Sequence, residues 1–241
     1  MSTDANILFW DIETTALDAG VGSVVCAAFK SNQEKKPRLL TIADYRGWAK
    51  EPWDDSKLVR DIAKEIAKAD IIVGHYSTRF DLPFVNSRLL KSGQPPCAPV
   101  PHVDTWRVSR NRLKLGSNRL AALSAFFGLE QKTPLSAEIL QKMRAYDTDT
   151  LDLIYEHCVQ DVIVLEQAYE RIKIIAPDHP NVNLARAIDD ANPQCPVCGS
   201  FHVQKRGKII AKARVSQRYQ CNDCGHWGRG IPKKVMNVGM R

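Results

Sequence analysis

Four carboxylates and one histidine stand at spacings that could hold metal ions and move a proton. Asp11 and Glu13 are two apart, directly after the apolar run at residues 6–10. If that run is a strand, its side chains alternate and both acids leave one face at its end. Carboxylates aimed the same way repel unless a cation neutralises them, and oxygen-only ligands suit magnesium or manganese. Taken alone, the pair reads equally as a polar turn in which Thr14 and Thr15 cap the next element. Asp81 precedes a helical stretch with Pro83 in its first turn, an ordinary N-cap arrangement that a metal ligand could also occupy. Asp161 is more telling. At ~100° per residue, Leu151, Ile154, Cys158, Leu165 and Ala168 form one apolar stripe, and Asp161 falls in its middle. A carboxylate packed there needs a partner, which a metal ion or a hydrogen-bonded histidine would supply. His157 lies one turn earlier on the flank of the same face.

A second constellation is built from cysteine. Cys195-Pro-Val-Cys198-Gly and Cys221-Asn-Asp-Cys224-Gly are two knuckles separated by 22 residues, each followed by a glycine that eases a tight turn. Four thiolates complete a tetrahedral zinc site, so His202 and His226 are left out of it. The surrounding stretch has too few large apolar residues for its own core, and one structural Zn²⁺ explains how it folds. Between the knuckles lie Lys205, Arg206, Lys208, Lys212, Arg214 and Arg218, with Arg229, Lys233 and Lys234 beyond. Such a ribbon suits phosphate contacts, with a protein partner as the rival reading. Tyr219 and Trp227 are expected to pack against the small zinc core rather than to stack on bases.

The elements that must position these groups can be read along the chain. Strands are expected at 6–10, 21–29 and 38–44, then a helix capped by Ser56 with Leu58, Val59, Ile62 and Ile66 on its apolar side. A short strand at 71–74, a helix from near Asp81, a Pro-rich loop and a strand around Val103 come next. Ser117 would cap a helix that Gly128 ends, and a last long helix would run from about Thr148 to Ile172. Three early strands and then alternating helices and strands imply an α/β fold, a mixed sheet flanked by helices. The expected organisation is a domain over 1–175, a linker over 176–190, a four-cysteine zinc ribbon over 191–230 and a basic tail over 231–241.

Composition narrows the class. The chain has 241 residues, 44% hydrophobic and 25% charged, ordinary values for a folded protein. No apolar run reaches the ~18–20 residues of a membrane span. The start lacks a basic segment leading into an apolar one, and three further cysteines (Cys26, Cys97, Cys158) are scattered, so cytoplasm is the expected location. The net charge of +7 is uneven: residues 195–241 hold ten of the 34 Lys and Arg against one acid, Asp223. The preceding 194 residues hold 24 basic against 26 acidic groups. A polyanionic partner, nucleic acid above all, fits that asymmetry.

Together, Asp11-Ile-Glu13-Thr, Phe80-Asp81-Leu-Pro-Phe and His157-Cys-Val-Gln-Asp161-Val resemble the DEDD exonuclease superfamily, which includes polymerase proofreading domains. Val103-Asp104-Thr105 and the segment from Leu120 to Gly128 support the likeness, which extends over residues 6–170. The resemblance implies a ribonuclease H-like fold and 3′–5′ hydrolysis of nucleic acid, DNA favoured over RNA. It also implies that Asp11, Glu13, Asp81 and Asp161 hold two Mg²⁺ or Mn²⁺ ions. Relatives carry a tyrosine four positions, or a histidine five positions, before the last aspartate. Here His157 takes the tyrosine's spacing with the histidine's chemistry, and it is expected to accept a proton from the attacking water. Near Asp81, His75 and Tyr76 fill a stretch where many relatives carry asparagine. A structure-selective endonuclease and a non-catalytic nucleic-acid-binding protein are the alternatives.

Overall fold

The computed structural model describes residues 5–45, 50–51, 53–129, 136–144, 148–185, 193–211, 214–231 and 233–234. Contacts divide the chain into two compact units, Asn6–Ile172 and Lys173–Arg241, the first five residues grouping with the latter. No helix among the described residues is long and apolar enough to cross a membrane.

In the first unit a five-stranded mixed sheet runs in the order β3-β2-β1-β4-β5. Its strands are β1 (Ile7–Thr14), β2 (Val24–Ser31), β3 (Arg38–Thr41), β4 (Ile71–Gly74) and β5 (His102–Asp104). The first three pair antiparallel, while β4 and β5 join parallel to β1 and to each other. Parallel pairing needs crossovers, and the helices α1 (Ser56–Ala67) and α2 (Asp81–Lys91) lie in them. The others are α3 (Thr105–Arg112), α4 (Leu120–Phe127), α5 (Ala137–Arg144) and α6 (Thr148–Ile172).

Several local expectations shift. The first strand is longer than its apolar run and carries Asp11 and Glu13 within it, because pairing with β2 continues to Thr14. The third stops at Thr41, where a capping box with Asp44 starts a 3-10 turn. Ser56 is the first helical residue of α1, not its cap; Asp55 holds that position. Arg119, not Ser117, precedes α4, although Ser117 Oγ accepts the Arg119 N–H at 3.3 Å. Gly128 ends α4 in the left-handed region, as its lack of a Cβ allows. Helices α3 and α5 are absent from the expected elements, although Ile139, Leu140 and Met143 of α5 stand at helical spacing.

Helix α6 packs on β1 and β2 through the stripe the sequence marks: Leu151, Ile154, Cys158, Leu165 and Ala168 are all at most 3% exposed. It runs opposite to β1, so Tyr169 meets Phe9 edge-on at 5.3 Å between ring centroids while Cys158 lies beside Asp11. Helix α2 is tied from the other side. Arg88 on α2 makes a bidentate pair with buried Asp55, whose Oδ2 also accepts the Val24 N–H at 2.8 Å. Arg88 further donates to Ala19 O and Ser23 Oγ. One buried pair thus links α1, α2, β2 and the loop after β1, and losing one partner would cost about 3–5 kcal/mol.

The second unit contains an antiparallel sheet of β6 (Val203–Ala211), β7 (Arg214–Cys221), β8 (Trp227–Arg229) and β9 (Lys233–Lys234). Its small buried cluster is Cys195, Val197 and Cys221, with Val203 and Cys224 packed against it. Short 3-10 turns at Lys173–Ile175 and Val182–Ala185 precede it. Of the expected linker at 176–190, residues 176–185 are described and include the turn at Val182–Ala185, while 186–190 lie outside the described residues. Of the expected basic tail at 231–241, residues 232 and 235–241 lie outside them.

Candidate active site

Strand alternation places Phe9, Asp11 and Glu13 on the face of β1 that meets α6. Helix α6 brings His157 and Asp161 to the same place, one turn apart. His157 Nε2 lies 4.0 Å from Glu13 Oε1 and 3.7 Å from Asp161 Oδ2. One ligand atom each from Glu13, His157 and Asp161 fall within 4.8 Å of one another, a set that could hold a metal ion. At 3.7 Å, His157 Nε2 and Asp161 Oδ2 stand as an ion pair rather than a direct hydrogen bond.

Asp11 and Asp81 border this group rather than enter it. The Cys158 thiol lies 3.6 Å from Asp11 O and 3.8 Å from Asp11 Oδ2. Asp81 is the first residue of α2 after Phe80, which occupies the cap position. Its Oδ1 accepts the N–H of Ile12 at 3.3 Å, between the two acids of β1. Of the two roles the sequence left open for Asp81, the N-cap position is taken by Phe80, and the Asp81 side chain reaches across to β1.

Buried to 4% exposure, Asp81 has its carboxyl pushed up to about 7. Burial is the main cause, opposed by the N–H groups of Asp81 itself and of Ile12, and the nearby negative charges of Asp104 and Asp161 add to it. A raised acid favours its protonated form in the fold, so its contribution to stability is complete below the unfolded value and is lost as pH rises to about 7. The metal-free protein is therefore expected to lose up to about 4 kcal/mol between pH 4 and 8 from this group. Asp81→Asn should remove that slope. His102 acts in the reverse sense: burial holds it at about 4, so the stability of its neutral form is lost as pH falls below its usual 6.5. The difference between parent and Asp81→Asn in thermal melts across that range isolates the aspartate. Identical pH profiles would show that Asp81 ionises as freely folded as unfolded.

The loop at residues 75–80 that delivers Asp81 is held by Asp104, which the sequence reading used only as support for the resemblance. Asp104 Oδ1 accepts the N–H groups of Tyr76 (2.9 Å), Trp106 (3.0 Å) and Arg107 (3.3 Å). Its Oδ2 accepts the Thr78 N–H at 3.1 Å and the Thr78 hydroxyl at 2.5 Å. Tyr76, at φ 64°, stacks edge-on against Trp106 with 5.0 Å between centroids. Gly74 begins the loop; a Cβ there would sit 2.1 Å from Ser77 Oγ, which bonds His102 Nε2 at 2.8 Å. Beside Asp81 an open groove of about 420 Å³ is lined by Leu17, Asp18, Arg79, Phe80, Pro83 and Lys91. Leu17 is 86% exposed at its edge.

In the second unit the four cysteine sulfurs all lie within 4.8 Å of one another. Cys195 and Cys224 are 3.6 Å apart, and Cys198 and Cys221 are 3.7 Å apart. Disulfide sulfurs lie at ~2.05 Å, whereas corners of a tetrahedron with ~2.3 Å metal–sulfur bonds are about 3.8 Å apart. The donor set therefore fits a tetrahedral thiophilic ion. Burial raises the Cys198 thiol and takes Cys224 to about 11. Cys221 falls to about 7, burial opposing the shift while the N–H groups of Cys224 and Asp223 drive it. His226 Nδ1 lies 2.8 Å from Ile174 O, and His202 Nδ1 lies 3.2 Å from Asp223 Oδ1, so both rings have other partners.

The candidate basic residues do not share a surface. Directly paired residues of neighbouring strands project to the same face. Lys205 pairs with Tyr219 and Lys208 with Gln217, on the face that includes Cys221. Arg214 and Arg218 lie on the opposite face, and Arg206 falls in the bulge between Lys205 and Lys208. Lys212 lies outside the described residues. Trp227 contradicts its expected packing role: it pairs with Gln220, on the face away from Cys221, and is 50% exposed.

Compared with known proteins, residues 8–173 match a family model described as RNase H superfamily. Among solved structures, the chain is similar to a family B DNA polymerase from the hyperthermophilic archaeon Pyrobaculum calidifontis, at 17% identity and a TM-score of 0.55. That likeness covers 75% of this chain but only 27% of the polymerase. No curated protein matches by sequence.

Proposed function

Because the chain belongs to the RNase H superfamily, we propose that its carboxylate cluster makes it a divalent-metal-dependent 3′–5′ exonuclease. The observation that carries this reading is the convergence of Glu13, His157 and Asp161, with Asp11 and Asp81 at the border, around one end of β1. Asp11, Glu13, Asp81 and Asp161 would hold two Mg²⁺ or Mn²⁺ ions. These oxygen donors fit such ions, and the raised carboxyl of Asp81 reflects how poorly the group tolerates its own charge without them. When bound, the ions neutralise charge on the phosphodiester and orient a water for in-line displacement.

The chain's own residues do the rest. His157 accepts the proton of the attacking water, its Nε2 standing 4.0 Å from Glu13 Oε1 and 3.7 Å from Asp161 Oδ2. Asp104 keeps the loop at 75–80 in place, so that Asp81 stays aimed at β1. The groove between Leu17 and Arg79 receives the terminal nucleotides, with Arg79 and Lys91 near their phosphates. DNA is the substrate we favour, in line with the DNA polymerase with which the fold is shared. The cysteine cluster binds one structural Zn²⁺, and the ribbon it holds together strengthens the grip on nucleic acid.

A second reading draws on the shared 4.8 Å sphere of Glu13, His157 and Asp161: the histidine is itself a metal ligand. His157→Ala would then weaken metal affinity, whereas loss of a proton acceptor would lower kcat at saturating metal by about 10²–10⁴. The deciding assay places labels separately on the 5′ and 3′ ends of single-stranded DNA and RNA, with magnesium, manganese and EDTA arms and Asp11→Ala as the inactive control. A metal-dependent ladder shortening from the 3′ end, absent in the variant, is expected. Defined internal cuts would replace the exonuclease with a structure-selective endonuclease. Binding without hydrolysis would leave a non-catalytic nucleic-acid-binding protein.

A further inference from the structure

The ribbon's two faces differ in kind. One carries Val203, Tyr219 and Cys221 and borders a small cavity of about 180 Å³ closed by Cys195 and Pro196. The other carries Arg214 and Arg218 on β7 and Trp227 and Arg229 on β8, all exposed. Arg218 is directly paired with Arg229. Like charges opposite each other destabilise a sheet, and the only acid of residues 195–241, Asp223, is bonded to Ser200 and His202. Arg218 is also pre-set: its Nε donates to Arg206 O at 2.8 Å, while its guanidinium lies 5.3 Å from the centroid of the Trp227 ring. Arg214 stands four residues back on the same face, about 14 Å along the strand.

We propose that this face is a binding surface for single-stranded nucleic acid, with an exposed base stacking on the Arg218–Trp227 pair and phosphates taken by Arg214, Arg218 and Arg229. The assignment rests on the nucleic-acid-directed function proposed above and names the surface and the strand state. An acidic protein could answer the charges, and a Trp–Arg pair also serves protein interfaces; the ring and the cations spaced along one strand face are what favour a nucleic-acid strand. A flat π surface beside cations at strand spacing matches unpaired bases and their backbone. Duplex DNA, whose bases are already stacked, would use the charges alone.

The test uses the full zinc-loaded chain carrying Asp11→Ala, so that the probe survives. Fluorescence anisotropy tracks binding of 5′-labelled oligo-dT, oligo-U and a blunt duplex of the same length across a salt series. Trp227→Ala is expected to weaken single-strand binding about tenfold with the salt dependence unchanged, and Trp227→Phe to restore most of it. Arg214→Gln with Arg229→Gln should flatten the slope of log K against log salt by roughly 0.7 per arginine. Lys205→Gln with Lys208→Gln, on the other face, should do less. Zinc content at one equivalent in each variant shows that the ribbon is intact. The proposal is overturned if Trp227→Ala binds like its parent, if the duplex binds as tightly as the single strands, or if the Lys205/Lys208 pair costs as much as the arginines. Hydrolysis of a dinucleotide by the chain with Asp11 intact reports separately on the nuclease. Its absence, with Trp227-dependent binding retained, removes the nuclease and leaves the surface.

Discussion

Replacing Asp161 with asparagine is expected to abolish metal-dependent hydrolysis while leaving the fold as stable as before, or more so. The residue is 8% exposed in the middle of an apolar helix stripe, where asparagine fills the same space without the charge. The Asp161 charge also raises the carboxyl of Asp81. Asparagine keeps the shape, removes the charge and takes a poor ligand to the metal site. If the site contributes several kcal/mol of transition-state charge stabilisation, turnover at saturating magnesium should fall by about 10³-fold or more. Thermal melts without metal should stay level or rise. Melting lowered by many degrees would assign Asp161 a structural partnership instead, and undiminished turnover would remove it from the site.

Stripping the ribbon's metal should have the largest effect on stability. Only Cys195, Val197 and Cys221 are buried in its central cluster, too little apolar surface to hold nine-residue β6 and eight-residue β7 together. A structural zinc contributes an apparent ~10–16 kcal/mol at neutral pH in such modules. The thiols' uneven behaviour points the same way. Burial works against thiolates at Cys198 and Cys224, so those two become thiolates beside Cys221 only around a cation. A strong chelator, or Cys198→Ser, is expected to erase amide-exchange protection over residues 203–229. Protection in β1, β4 and α6 should remain, because those elements have their own core. Persistent protection of β6 and β7 after complete metal loss would show that the ribbon folds on apolar contacts.

How much of the site was legible in the sequence depends on the range of each signal. The period of two put Asp11 and Glu13 on one face, and the 3.6-residue period put Asp161 inside the stripe of α6; both survive into three dimensions because they are local. The two knuckles were legible because thiolate pairs close on a metal at fixed spacing. Asp81 reaching the Ile12 amide, 69 residues away, leaves no periodic trace. Nor does Asp104 gripping Tyr76 and Thr78 from 28 and 26 residues away. Helix α3 escaped because Thr-Trp-Arg-Val-Ser-Arg-Asn-Arg has almost no apolar face; Asp104 starts it by accepting the Trp106 and Arg107 amides. The direction of Trp227 depended on strand register, and one residue of slip moves every side chain to the other face. The bulge between Lys205 and Lys208, with Gly207 at φ 79°, shifts the register of β6 and β7 in a way no window of residues announces.

The five donors gathered by Asp104 come from both sides of the chain's return: Tyr76 and Thr78 on the outgoing loop, Trp106 and Arg107 on the helix coming back. They depend on a single side chain, whose two oxygens divide them three and two. With Ser77 Oγ on His102 Nε2 and His75 Nδ1 beside Thr105 Oγ1, the segment that presents Asp81 is fastened at three points to the end of one strand and the start of one helix, so the position of that acid is set by β5 and α3 as much as by its own helix.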